Sequence, residues 1–245
     1  MQNNANVIGK INDRTTIYRI FPRNRFLQLF EESQNALVLP TKWDDPFENV
    51  FLQADVVSAN GEKGHFGFHD DVYGQCWTLE TASDAMWQIY SRDKDAVRVR
   101  TTVGKLIGSL RSIHGKWAEA TCFIGRVDYL RESKLKEFGR TVFKDYSGSE
   151  AIARTLLVKR RAYKHENEVR LIHIERGGTK HVNGVYTYKL DPRDIIDQVM
   201  VDGRVPYQDF VPFKEQIMAL TGLSEKQVTR SLLYRKPKGF LVEVP

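Results

Sequence analysis

The chain has 245 residues, 41% hydrophobic and 28% charged, enough to bury one substantial core without disulfide staples. Its 37 Lys and Arg outnumber 31 Asp and Glu, a formal charge of +6 that suits an anionic partner without naming one. Apolar runs are far too short to span a bilayer, MQNNANVIGK has no signal-peptide character, and Cys76 and Cys122 read as buried, reduced thiols, so the expectation is a cytoplasmic protein.

Residues 1–14 read as a flexible tail. Thr15–Phe21, rich in β-branched and aromatic residues, reads as a first strand, and Phe26, Leu29 and Phe30 then take helical spacing. ALVLP gives a short strand ended by Pro40, and Asp45-Pro46 marks a turn between Trp43 and Phe47. Residues 54–72, with several glycines, read as a mobile loop. VYGQCWTL is a strand, after which Ser83 caps a helix containing Met86, Trp87 and Tyr90. Val97 and Val99 alternate with Arg98 and Arg100, as in a half-buried strand.

VGKLIGSL reads as helix, the segment around Cys122 as strand, and ESKLKEF and SEAIARTLLVKR as helices. Three strands follow, EVRLIHI, GVYTYKLD and DQVMVDG, then a helix opened by Pro206. Ser224–Gln227 has capping-box spacing and predicts one more short helix. The mixed order predicts an α+β fold, one domain over 1–245 with a mixed or antiparallel central sheet flanked by helices, and 206–245 as a peripheral helical extension.

Walker, Gly-x-Gly-x-x-Gly and Gly-x-Ser-x-Gly motifs are absent, which disfavours conventional kinases, dehydrogenases and serine hydrolases. His65 and His69 stand four apart beside Asp70 and Asp71, but the intervening FGF disfavours a helix, so a solvated loop is expected and no metal. His173 shares a face with Val169 and Leu171 and reads as a satisfied core histidine.

Arg19, flanked by Ile17, Ile20 and Phe21, must pair with Asp44, Asp45 or Glu48 or else hold a phosphate. Trp77, Trp87 and Tyr90 form either a hydrophobic cluster or a platform for a flat heterocycle. The basic run Lys159, Arg160, Arg161 and Lys164 is either a solvated helix face or a phosphate-binding strip. Glu166, Glu168 and Arg170 alternate toward one strand face, and spacing alone favours a wet edge with an internal ion pair from Arg170 or Lys164.

Four blocks, YRIF, WDDPFE, CWT with MWQIY, and YKHENEVRL, together resemble the mostly bacterial family catalogued as domain of unknown function 2971. Thr78 stands where serine is more usual and keeps the hydroxyl. The block order is also similar to ADP-ribosyltransferases of the Arg-Ser-Glu type, which have a split sheet. That similarity implies an Arg19, Thr78 and Glu168 triad, with Glu166 helping to choose the acceptor. It implies NAD as substrate, contacted by Tyr18, Arg19, Trp77, Thr78, Trp87, Tyr90 and Arg170, and transfer to a macromolecule, nucleic acid included, in a toxin or phage-defence role. Two alternatives are a non-catalytic nucleotide or nucleic-acid sensor and a metal-dependent nuclease using Asp44, Asp45, Glu48 and Glu166.

Overall fold

The computed structural model describes residues 6–43, 45–57, 60–177, 181–237, 239 and 241. It opens with β1 (Val7–Ile8) and β2 (Thr16–Phe21), then α1 (Arg23–Glu32), which buries Phe26, Leu29 and Phe30, and β3 (Gln34–Val38). After 3-10 turns at Pro40–Lys42 and Pro46–Glu48, a hairpin of β4 (Asp55–Val57) and β5 (Lys63–His65) occupies the stretch expected to be loop. Next come β6 (Val72–Thr78), α2 (Asp84–Tyr90), β7 (Val97–Thr102) and α3 (Val103–His114). The Ser83 hydroxyl accepts from Met86 N, the cap its position suggests.

The chain continues through α4 (Ala118–Thr121), β8 (Cys122–Arg126), β9 (Asp128–Leu130), α5 (Glu132–Asp145) and α6 (Gly148–Thr155). α6 stops before the basic run, which forms β10 (Val158–Arg160) and a 3-10 segment, Arg161–Glu166, instead of extending the helix. β11 (Glu168–Ile174), β12 (Val185–Lys189), α7 (Pro192–Ile195), β13 (Gln198–Val201), α8 (Tyr207–Thr221) and β14 (Val228–Arg230) complete the fold. Among the described residues, no helix is long and apolar enough to cross a membrane.

The main sheet is mixed, in the order β1-β8-β11-β6-β2-β7-β13-β14, with β1 and β14 parallel to their neighbours and the inner pairs antiparallel. It is a mixed α/β single domain with helices flanking the sheet. Val7–Ile8 therefore belongs to the sheet and not to a tail. The C-terminal part is not peripheral either: Phe210, Phe213 and Ile217 of α8 enter the main core and β14 closes one sheet edge. Gln227 Oε1 does accept from Ser224 N at 3.1 Å, but this bond shapes a turn into β14, not a helix.

Two features of this sheet create the site. β6 meets β2 through one bridge, Tyr18↔Thr78, and meets β3 through one bridge at its other end, Val38↔Gly74, so the sheet splits between them. β11 lies centrally, and all seven of its residues are buried. Val169 and Leu171 face the main core, while Ile172 and Ile174 pack with Ile152, Leu156 and Leu157 on the other side. The wet edge suggested by the alternating charges is a fully covered strand.

Candidate active site

The split places functional side chains from four segments around one opening. Tyr18, Thr78 and Glu168 stand in one row across β2, β6 and β11, because Thr78 pairs with both neighbours. Adjacent strands lie ~4.8 Å apart, so the ends of that row are roughly 10 Å from each other. Arg19, Thr78 and Glu168 line one pocket together with Tyr18, Cys76, Tyr90 and Glu166. Two larger lobes, of about 370 and 380 Å³, also have Arg19 as a wall.

Beneath the pocket lies a buried charge cluster. Arg170 donates to Glu168 twice, Nε to Oε1 at 3.1 Å and Nη2 to Oε2 at 2.8 Å, and its Nη1 donates to the Leu156 carbonyl at 2.7 Å. The same Nη2 lies 3.1 Å from Glu48 Oε2. Lys159 Nζ sits 2.6 Å from Glu48 Oε1 and 3.6 Å from Glu168 Oε2, and donates to Glu166 Oε2. Three carboxylates therefore share two cations. The Trp43 ring covers Arg170, 4.4 Å from its guanidinium. Gly74 permits this, since a Cβ there would fall 2.6 Å from the indole.

Ionisation follows from these contacts. Burial opposes the charged form of Glu168, yet the bidentate Arg170 outweighs it and holds the carboxyl below its ordinary value. For Glu48 burial wins over Arg170 and Lys159, and its carboxyl is pushed up. Burial also pushes up the Cys76 thiol, and the adjacent Glu168 carboxylate adds to it.

Arg19 is the unpaired member. Among the described residues its guanidinium has no ion pair and buried Nη1 has no hydrogen-bond partner; the Phe21 ring lies 4.9 Å away, and Cys76, Tyr90 and Glu168 are close enough to act on its charge. The carboxylates that sequence offered it are engaged elsewhere: Asp45 with Arg160 at 2.7 Å, and Glu48 with Lys159 and Arg170. Asp44 lies outside the described residues. Desolvation lowers the Arg19 pKa. An unpaired guanidinium walling a cleft is a ready anion site.

Other expected residues are arranged differently from the strand-face picture. Glu166 is not on β11; it ends the 3-10 segment, and Asn167, with φ at 42°, turns the chain into the strand. That left-handed corner is what lets Glu166 and Glu168 both reach Lys159. Asn167 is pinned by Glu80 at 2.9 Å and Arg126 at 3.1 Å. The Thr78 hydroxyl donates to the Glu166 carbonyl at 2.5 Å and accepts from Glu80 N at 3.0 Å, so it fixes the corner and keeps one lone pair for a ligand.

Trp87 is away from the cleft, buried with Ile20, Met86 and Ala96. Trp77 packs edge-on to Phe21 in the main core and also lines the pocket, where Tyr90 stays 40% exposed, so of the aromatic trio Trp87 alone is core packing without a face on the pocket. Arg170 is fully buried and acts on Glu168 from below, outside the pocket lining. In the basic run, Lys159 is buried and Arg160 is bound to Asp45, leaving Arg161 and Lys164 exposed.

Sequence reasoning missed the roles of Glu48, Lys159, Cys76 and Tyr129, whose hydroxyl accepts from Glu168 N at 2.8 Å. The sequence offered Glu48 as a partner for Arg19 or a nuclease ligand rather than as a partner of Lys159 and Arg170, and the run around Lys159 pointed to the surface or to phosphate.

No protein-family model matches the chain, and no curated protein matches it. Among solved structures it is similar to the Thermus sp. 2.9 protein DarT in complex with NAD+, with 11% identity, a TM-score of 0.39, and coverage of 91% of this chain and 98% of that one. The same protein in complex with ADP-ribosylated ssDNA gives 10% identity, a TM-score of 0.39, and coverage of 91% and 97%. A likeness of this size assigns neither substrate nor residue roles to this chain.

Proposed function

We propose that the chain is an NAD-consuming enzyme of the ADP-ribosyltransferase type and a member of the domain of unknown function 2971 family, as its four sequence blocks suggest. One observation carries the enzymatic reading: the unpaired guanidinium of Arg19 and the ionised carboxylate of Glu168 line the same pocket.

NAD supplies a pyrophosphate for a cation and a ribose–nicotinamide bond for a fixed carboxylate. Arg19 binds the pyrophosphate, satisfying the Nη1 that is otherwise unpaired. Glu168 stabilises the positive charge that develops on the ribose as the carbon–nitrogen bond breaks and its electron pair leaves with nicotinamide. Arg170 and Lys159 keep that carboxylate charged and immobile. Thr78 holds the Glu166–Glu168 corner against β6. Tyr90 supplies an exposed ring at the pocket for a flat group. The acceptor enters the lobe walled by Lys42, Trp43, Tyr163, His165 and Glu166, and Arg161 and Lys164 attract an anionic macromolecule such as a nucleic acid. The acceptor nucleophile adds to the ribose carbon and releases its proton to solvent.

Incubating the protein with labelled NAD and cell lysate tests this. Wild type releases nicotinamide and labels a macromolecular fraction, Glu168→Gln does both about 10²–10³-fold more slowly, and Arg19→Ala binds NAD roughly ten- to a hundredfold more weakly. Intact NAD in every extract would sink the enzyme reading. The nuclease alternative is disfavoured because Asp45, Glu48 and Glu166 are already neutralised by Arg160, Lys159 and Arg170.

A further inference from the structure

The far end of β11 holds a second cluster of chemically capable side chains that the cleft does not use. His173 lies five residues beyond Glu168, roughly 16 Å along the strand. It projects to the core side with Val169 and Leu171, opposite Cys122 on β8 in the register. His114, the last residue of α3, and Tyr186 of β12 both pack against it, with ring centroids 4.4 and 4.2 Å away and 6.1 Å from each other. One ligand atom from each of His114, Cys122 and His173 lies within 4.8 Å of the others.

His173 is 1% exposed, and neither ring nitrogen has a hydrogen-bond partner among the described residues. Glu175 Oε2 stands 3.6 Å from Nε2, a loose contact, and the Thr121 backbone also lies near the ring. Burying an imidazole with both nitrogens unsatisfied is costly, and a native core normally answers it with a partner or an ion. The satisfied core histidine expected from sequence is thus buried but unsatisfied. A thiol and a second imidazole stand beside it, which is the donor set of a borderline-soft cation.

We propose that His114, Cys122 and His173 bind a zinc-class divalent ion, with water in the fourth position entering past the half-buried His114. Glu175 Oε2 is the outer-shell carboxylate that orients His173. The site ties the end of α3 to β8 and β11, so its role is structural.

Two consequences follow from the geometry. Rings stacked at 27° cannot both aim in-plane lone pairs at one ion, and ligand atoms around tetrahedral zinc stand about 3.4–3.6 Å apart. Binding therefore turns His114 out of the stack and breaks its 2.8 Å contact from Nε2 to the Tyr186 hydroxyl. A cysteine binds a metal as its thiolate and a histidine as its neutral imidazole. The metal–sulfur bond therefore replaces an S–H bond, and one proton leaves to solvent per ion bound.

The test uses the full chain stripped with chelator and titrated with Co2+ and then Zn2+. The expected result is one equivalent bound, a thiolate-to-cobalt charge-transfer band displaced by Zn2+, and one proton released by calorimetry in buffers of different ionisation enthalpy. Tyrosine emission changes on binding as Tyr186 loses its partner. Cys122→Ser loses the band, and His114→Gln, at a half-exposed position that folding tolerates, weakens binding at least tenfold. No band and no Zn2+-dependent rise in Tm would overturn the proposal. Equal affinity in wild type and the Cys122→Ser/His114→Gln double variant would also overturn it, by moving the metal to surface histidines such as His65 and His69. NAD plays no part in these readouts, so their outcome is independent of the cleft.

Discussion

The two ends of β11 bury polar side chains by opposite means. At Glu168 and Arg170 the chain keeps full charges in the dry interior and matches each with a partner of opposite sign. At His173 it buries an imidazole against the rings of His114 and Tyr186, with neither nitrogen of His173 in hydrogen-bonding reach of a partner among the described residues. The charged end is rigid because removing any member strands another charge. The neutral end holds no pair of full charges, which leaves the His173 nitrogens open to another ligand. Function at the first end comes from fixed charge, and at the second from unspent coordination capacity.

The largest effect should appear on breaking the charged end. Arg170→Ala leaves Glu168 and Glu48 with only Lys159, and urea unfolding should show a loss of about 3–5 kcal/mol. A loss under about 1 kcal/mol would mean that the cluster is solvated and that the contrast fails. Glu168→Gln removes the charge facing the pocket, and NAD turnover should fall about 10²–10³-fold, the size of one preorganised electrostatic group.

Arg19→Ala separates binding from stability. Nucleotide affinity should drop roughly ten- to a hundredfold, the worth of a charge-assisted hydrogen bond. Folding stability should stay level or rise, because the removed cation has no ion pair among the described residues. At the neutral end, His173→Phe keeps the stack and removes two unsatisfied nitrogens. In metal-free buffer its stability should lie within about 1 kcal/mol of wild type, against the severe loss at Arg170.

The smallest effect is on pH. The Glu168 carboxyl is held below its ordinary 4.5, so it contributes stability above that pH and loses it as pH falls through its folded value. Glu48 is raised and takes its proton earlier on acidification, partly offsetting the loss. Acid unfolding followed by circular dichroism should therefore steepen below pH 4.5, and Glu168→Gln should flatten that slope.

Much of the secondary structure was legible because its causes are local. Alternation marked β7, aromatic and β-branched density marked β2, and the Ser83 cap marked α2. The basic run misled because charge density describes composition and not environment. Lys159 is buried only because β10 pairs with β9 and brings it against Glu48, 111 positions earlier in the chain. Trp87 and Tyr90 share a helix, but only the packing of Ile20 and Ala96 decides that one is core and the other cleft.

By itself the sequence determined the class of fold and the set of blocks holding Arg19, Thr78 and Glu168, since periodicity, caps and residue type are properties of short windows. The tertiary structure alone decided that the sheet splits at β6, that Arg19 lacks a partner among the described residues, and that His114, Cys122 and His173 meet. The physical reason is that pairing, burial and coordination depend on strand order and register, which join segments tens of residues apart and leave no trace in any one of them.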